Sequence, residues 1–189
     1  MAYKGQTISN KITGETITWQ ETAADNNGKK LVFHFEVAPK GYLPVRHLHP
    51  NQVETFEITK GAFKVELNGE LKTFCAGERL VIPKGAPHQW WNVSDSESVE
   101  MTVTFEPALN TETFLEQFFG ICNDGKTKAD GTPPFLQMMA MVNTYQLYIA
   151  GPPIFIQKVM GFVLGGIGQM MGFKKYYKQY SHSFTTEAV

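Results

Sequence analysis

The feature that most constrains the fold is a change in hydrophobic pattern near residue 109. Before it, short segments alternate between apolar and polar residues, most clearly over Leu31–Val37 and Val99–Phe105. A period of two places successive side chains on opposite faces of a β-strand. Turn signals such as Asn27-Gly28 and Asn68-Gly69 separate these segments, at a spacing typical of a β-sandwich or β-barrel. We therefore predict a β domain over residues 1–109.

After Pro107 the pattern becomes helical. Thr113-Phe-Leu-Glu116 has the form of an N-terminal capping box and precedes an apolar segment that ends at Cys122. A second helix is predicted from Pro134 to about Ile149, and a third from Ile154 to about Met171. We expect residues 110–189 to form a helical extension that packs on the β domain or on a partner subunit.

The third predicted helix contains a regular series of glycines. Gly161, Gly165, Gly168 and Gly172 fall on one narrow stripe, opposite a wide apolar arc. The glycines either allow close approach of another backbone or are exposed at a cost in helix stability. The helix as a whole packs on the barrel or a partner, lies on a membrane surface through its flanking lysines, or acts as a lid.

Composition narrows the class of partner. The 189 residues include 17 Lys and Arg against 18 Asp and Glu, a formal net charge of −1. Nucleic-acid-binding proteins usually show a basic excess, so we expect no nucleic-acid partner. Residues 1–14 lack a secretory h-region, no uncharged apolar run reaches membrane-spanning length, and Cys75 and Cys122 lie far apart. These features predict a cytoplasmic protein that acts on a small molecule.

Two histidine-containing segments carry the strongest functional signal. His47 and His49 are two residues apart, so they point to the same face of a strand. Glu54 follows after a turn at Pro50, and His88 belongs to a separate segment. Three neutral imidazoles and one carboxylate suit a divalent first-row transition metal. This ligand set leaves the metal open among Fe, Mn, Ni, Co, Cu and Zn.

Both segments match the two sequence motifs of the cupin superfamily. The residues that match the first motif are Gly41, His47, His49, Glu54 and Gly61, and those that match the second are Gly77, Pro83, Gly85, His88 and Asn92. The resemblance implies a jelly-roll β-barrel with one metal bound inside it by the three histidines and Glu54. The opening Asn10–Glu15 looks most like that of small, single-domain, quercetinase-like bacterial cupins.

Inward-facing apolar side chains of the barrel are candidates for a substrate pocket around the metal. Their alternative role is simply to fill the barrel interior. The predicted pocket residues are Phe33, Phe35, Phe56, Trp90, Met101, Val103 and Phe105. This set contains no Lys or Arg, so it favours an apolar or aromatic substrate over a sugar phosphate.

The resemblance leaves several activities open, because cupins share a fold and differ in function. We predict a metal-dependent dioxygenase that acts on a small apolar or aromatic oxygenated compound, with Glu54 as a metal ligand or as the catalytic base. The alternatives are a non-catalytic ligand-binding cupin and a metal-dependent isomerase or decarboxylase. A homodimer is expected, because cupin barrels often pair through their sheets.

Overall fold

The structure is a computed structural model and describes residues 2–181. The elements of the β domain, in chain order, are β1 (Thr7–Asn10), β2 (Glu15–Glu21), a 3₁₀ turn (Ala23–Asn26), β3 (Leu31–Val37), β4 (His47–Leu48), β5 (Val53–Lys60), β6 (Ala62–Leu67), β7 (Glu70–Cys75), β8 (Arg79–Ile82), β9 (His88–Asn92) and β10 (Val99–Glu106). The elements that follow are α1 (Thr111–Asn123), α2 (Phe135–Tyr145), β11 (Tyr148–Ile149) and α3 (Ile154–Met170).

The strands form two antiparallel sheets. The first has the order β1-β2-β3-β10-β5-β8, and the second has the order β11-β4-β9-β6-β7. The non-sequential neighbours, such as β10 between β3 and β5, are those of a jelly-roll barrel. This architecture, followed by C-terminal helices, confirms the predicted fold class.

The core lies between the two sheets, as the alternating pattern requires. Along β3, Leu31, Phe33 and Phe35 are buried, whereas His34 and Glu36 between them are only partly buried. The indole of Trp90 on β9 meets the ring of Phe35 edge-on across the barrel, with ring centroids 5.4 Å apart. These contacts fix the spacing of the two sheets around the barrel interior.

The helices begin and end at slightly different places from those predicted. α1 starts at Thr111, with Asn110 before it, so the predicted capping residue Thr113 lies inside the first turn. α2 ends at Tyr145, because Gln146 adopts a left-handed conformation with φ 52°. Tyr148–Ile149 then pairs with β4 instead of continuing the helix. The predicted helix is therefore too long at its C-terminal end. These residues form a strand because the edge of β4 offers backbone hydrogen bonds that a helix at this position would leave unmade.

α2 and α3 pack closely against each other through the glycine stripe. A β-carbon at Gly165 would lie 2.6 Å from the carbonyl oxygen of Met139, and one at Gly168 would lie 2.9 Å from that of Leu136. Gly161, Gly165 and Gly168 therefore serve close approach to α2. Gly172 does not belong to this stripe, because it lies beyond the end of α3, has φ 95° and has no atom within 4 Å of a β-carbon placed there. No helix of residues 2–181 is long and apolar enough to cross a membrane. Residues 182–189 of the predicted extension lie outside the described residues.

Candidate metal centre

Three buried histidines meet inside the barrel. His47 on β4 lies directly opposite His88 on the neighbouring strand β9, and His49 follows β4 by one residue. The Nε2 atoms of His47 and His49 are 2.9 Å apart, and one ring nitrogen from each of the three histidines lies within 4.8 Å of the others. All three side chains are at least nine-tenths buried. Convergent imidazoles at this spacing can bind one metal ion.

Glu54 approaches this group from the other sheet. It lies on β5, and its Oε2 atom is 3.0 Å from Nε2 of His88 and 3.7 Å from Nε2 of His49. In neutral His88 the proton is on Nδ1, so this contact joins two acceptors and neither Oε2 of Glu54 nor Nε2 of His88 has a hydrogen-bond partner among residues 2–181. Buried polar atoms without partners are costly, and a bound cation would satisfy both of them.

Backbone contacts orient two of the imidazoles toward the centre. Nδ1 of His47 lies 3.2 Å from the carbonyl oxygen of Val45, and Nδ1 of His88 lies 3.0 Å from that of Ala86. A carbonyl oxygen only accepts, so each Nδ1 donates its proton. In a neutral imidazole this leaves the Nε2 lone pair free to bind a metal.

Burial favours the neutral, metal-binding form of two histidines. It lowers the pKa of His47 well below its ordinary value, and the charges of His88 and His49 lower it further. Burial also lowers the pKa of His49 to about 4. For His88, burial lowers the pKa, but contact with the Glu54 carboxylate outweighs it and raises the pKa above its ordinary value. His47 and His49 are therefore neutral at pH 7, as metal ligation requires.

The donor set, the orphaned atoms and the oriented imidazoles all fit a divalent metal ion. The structure brings together the four side chains predicted as its ligands, which are His47, His49, Glu54 and His88. A set of three nitrogens and one oxygen does not distinguish among the first-row transition metals.

An apolar cavity adjoins the metal-binding group. His47, His49 and Glu54 line it together with apolar side chains from both sheets. The predicted pocket residues that line it are Phe33, Phe35, Phe56, Trp90, Val103 and Phe105. Met101 is buried between its strand neighbours Phe35 and Ile58 and is not among the lining residues. The residues of this cavity include no Lys or Arg, and Arg46 instead lies 2.8 Å from Glu66.

The helices supply a wall of the cavity that the sequence did not reveal. The lining residues from α1 are Phe114, Leu115 and Phe118, together with Thr111, and those from α2 are Met138, Met139, Met141, Val142 and Tyr145. Their helical spacing predicts an apolar face, but nothing in the sequence says that this face covers the barrel. The extension therefore forms part of the cavity wall rather than only attaching to the barrel.

Glu15 is a second carboxyl in this cavity and was not predicted as a site residue. It lies on the inward face of β2 with Ile17 and Trp19, and it is 3% exposed. The Thr13 hydroxyl donates to its Oε2, and the Asn10 amide lies 3.5 Å from the same oxygen. Burial raises the pKa of Glu15 to about 7 despite these hydrogen bonds. The sequence did contain a signal for this residue, because the alternating pattern of β2 places the Glu15 carboxyl on an otherwise apolar face.

Comparison with known proteins adds one relative of low similarity. The chain is 22% identical over 158 residues to a protein named oxidoreductase from Arthrobotrys oligospora, with 75% of this chain aligned. The match spans 60% of the length of that relative.

Solved structures with a similar fold are numerous. An RmlC-like cupin from Shewanella frigidimarina is 18% identical, with a TM-score of 0.48 over 59% of this chain and 94% of the other. A predicted oxalate decarboxylase from Thermotoga maritima is 18% identical, with a TM-score of 0.49 over 55% of this chain and 92% of the other.

The family model of the cupin domain matches residues 33–105. This range contains both histidine motifs and all four residues of the candidate metal centre. It also coincides with the strands β3 to β10 that carry those residues in the jelly-roll barrel. Residues 33–105 thus form a cupin domain within the β-barrel, which a C-terminal helical extension follows.

Proposed function

We propose that this protein is a metal-dependent dioxygenase that acts on a small apolar or aromatic oxygenated compound. The observation that carries the proposal is a three-histidine group that adjoins an apolar cavity. Phe105 joins the two, because its ring centroid lies 5.3 Å from that of the ligand His49 and 6.2 Å from that of Phe33. The oxidoreductase name of the fungal relative agrees with this class of reaction.

The size of the cavity restricts the substrate. Its volume is about 130 Å³, close to the roughly 150 Å³ cavity that accepts benzene in an engineered protein. One aromatic ring or a short diketone matches this volume, and a larger substrate would extend out of the cavity mouth. The absence of Lys and Arg among its lining residues disfavours a phosphorylated substrate.

Each part of the site has a distinct task in this proposal. The three imidazoles and Glu54 would hold the metal, which supplies Lewis-acid polarisation of a substrate oxygen when bound. The Phe33 and Phe105 rings bind the apolar part of the substrate and exclude water. In the alternative role, the Glu54 carboxylate is not a ligand and its Oε2 atom, which has no hydrogen-bond partner among the described residues, accepts a proton from a substrate hydroxyl.

Metal analysis and oxygen uptake test this proposal together. Protein prepared without chelators is expected to contain a first-row transition metal and to consume one O₂ per molecule of a catechol or β-diketone substrate. His49→Ala is expected to lose the metal and the oxygen uptake. His34→Ala is the matched control, because His34 lies on the outer face of β3 near Glu100 and away from the cavity. Turnover in His49→Ala, or loss of metal in His34→Ala, would contradict the assignment.

Glu54→Gln separates the two roles of the carboxylate. Gln keeps the shape but neither accepts a proton efficiently nor binds a cation as strongly. Loss of oxygen uptake with full metal content assigns Glu54 as a base, and loss of metal assigns it as a ligand. Full activity with full metal content would exclude both roles.

A non-catalytic ligand-binding role is the second outcome of the same experiments. α1 and α2 form one wall of the cavity, and their apolar side chains would hold a ligand against the barrel. Native mass spectrometry that finds a co-purified compound, recovered unchanged after incubation with oxygen, would support binding without catalysis. A substrate that is isomerised or decarboxylated without O₂ consumption would likewise overturn the dioxygenase assignment.

A further inference from the structure

One face of α3 is apolar and exposed along its whole length. We call this set the outer face; its residues are Phe155, Val159, Phe162, Val163, Ile167 and Met170. Phe162 and Met170 are each 82% exposed, and Phe155 is 75% exposed. A contiguous apolar surface of this kind marks an interaction site in a folded protein.

The packing of the opposite face explains why the outer face has no cover within residues 2–181. Gly161, Gly165 and Gly168 lie against α2, where a side chain would collide with Val142, Met139 and Leu136 in turn. Buried Gln157 fixes the start of the helix through hydrogen bonds with the backbone N–H and carbonyl of Ile149. α3 is therefore held by its glycines, by Gln157 and by Ile154, whereas the residues of the outer face point away.

The charged residues of the segment that contains α3 have a single sign. Between residues 132 and 181 the sequence contains no Asp or Glu, and its only charged residues are four lysines. Lys158 lies on α3, and Lys174, Lys175 and Lys178 follow its C-terminal end; all four are exposed. The backbone carbonyls of Lys174 and Lys175 accept hydrogen bonds from Gln137 and Tyr145, which attaches this basic segment to α2.

These charges favour an anionic membrane over a second copy of the chain as the partner of the outer face. In a symmetric dimer through α3 the same patch would meet itself, so lysines would face lysines with no acid from residues 132–181 to balance them. An anionic phospholipid surface supplies both an apolar interior for the rings and negative headgroups for the lysines. At 17 residues, α3 is about 25 Å long and suits binding parallel to the membrane plane.

We propose that the outer face of α3 docks this protein on anionic phospholipid membranes. The aromatic and aliphatic side chains enter the boundary between headgroups and acyl chains, and the four lysines contact the headgroups. The barrel remains in water, with α2 between it and α3. This site is independent of the metal centre and of the proposed reaction.

Vesicle flotation of the full chain tests the proposal. Wild-type protein is expected to bind equimolar phosphatidylglycerol and phosphatidylcholine vesicles and to bind phosphatidylcholine alone much more weakly. Added salt should weaken the binding. Lys174→Gln with Lys175→Gln should weaken it about 25-fold, at roughly fivefold per lysine. Phe162→Asp with Met170→Asp should remove it, because each buried apolar side chain contributes a factor of about 10 or more.

Leu71→Asp is the matched control, because Leu71 is 58% exposed on β7 and distant in sequence from α3. It should bind vesicles as the wild type does, and all variants should keep the wild-type melting temperature and metal content. The proposal is overturned if the wild type does not float, or if the Phe162 and Met170 substitutions leave flotation unchanged. Light scattering that shows a dimer lost on the same substitutions, without flotation of the wild type, would assign the face to a second copy instead.

Discussion

Replacing Glu15 with glutamine should remove one pH dependence from the stability of the barrel. Glu15 is 3% exposed in an apolar cavity, and burial raises its pKa from 4.5 to about 7. Hydrogen bonds from Thr13 and Asn10 lower the pKa but only partly offset the burial. Glutamine matches the protonated side chain in shape and can keep polar contacts with Thr13 and Asn10, so the substitution mainly removes the ionisation.

The sign and size of this pH dependence follow from the linkage between proton binding and folding. The folded-state pKa lies above the unfolded value, so the folded protein binds the proton more tightly. The resulting contribution to the free energy of unfolding is fully present below about pH 4.5, is lost as the pH rises toward 7, and then levels off. A shift from 4.5 to about 7 corresponds to about 3 kcal/mol at 1.36 kcal/mol per unit.

Urea unfolding of both proteins from about pH 4.5 to about pH 8 measures this difference. Glu15→Gln should equal the wild type at the acidic end and exceed it by up to about 3 kcal/mol at the basic end. Glu70→Gln, at an exposed position on β7, should change little at any pH. A difference between wild type and Glu15→Gln that does not vary with pH would refute the burial argument.

Three further predictions concern packing, thiol reactivity and assembly. Gly165→Ala should lower the free energy of unfolding by about 1–3 kcal/mol, since its β-carbon would lie 2.6 Å from the Met139 carbonyl. Gly166→Ala is the matched control, because its β-carbon meets no atom within 4 Å; it should raise the free energy of unfolding by about 0.5–1 kcal/mol through helix propensity. Equal effects of the two substitutions would contradict the packing of α3 on α2. Cys75 is exposed, whereas burial raises the pKa of Cys122 to about 11, so a thiol reagent should label Cys75 first, as mass spectrometry would show. Light scattering should give the mass of the homodimer expected from sheet pairing; a monomeric mass would contradict it.

The barrel could be predicted because its signals are local. Alternation alone locates β3 at Leu31–Val37 and β10 at Val99–Glu106, and the structure gives those strands. The same period predicts that His47 and His49 point to one face of their strand. That His88 and Glu54 reach them depends on strand pairing, which the family motifs implied and no local pattern contains.

The wall formed by the helices could not be predicted, because it depends on tertiary packing. The apolar spacing of α1 and α2 is compatible with burial against a barrel, a partner or each other. The glycine stripe of α3 is similarly ambiguous, since glycines on a polar arc are compatible with either exposure or close packing. Only the positions of Met139 and Leu136 beside Gly165 and Gly168 decide between them.

The two-residue strand β11 has a consequence for the order in which the site is completed. Every predicted metal ligand lies at or before His88, yet the strand that carries His47 receives Tyr148–Ile149 as its edge partner 100 residues later in the chain. During synthesis from the N-terminus, the barrel sequence emerges well before the helices and β11. We therefore expect a stage of synthesis in which the cavity is uncovered, the β4 edge is unpaired and the candidate metal ligands are accessible to an ion.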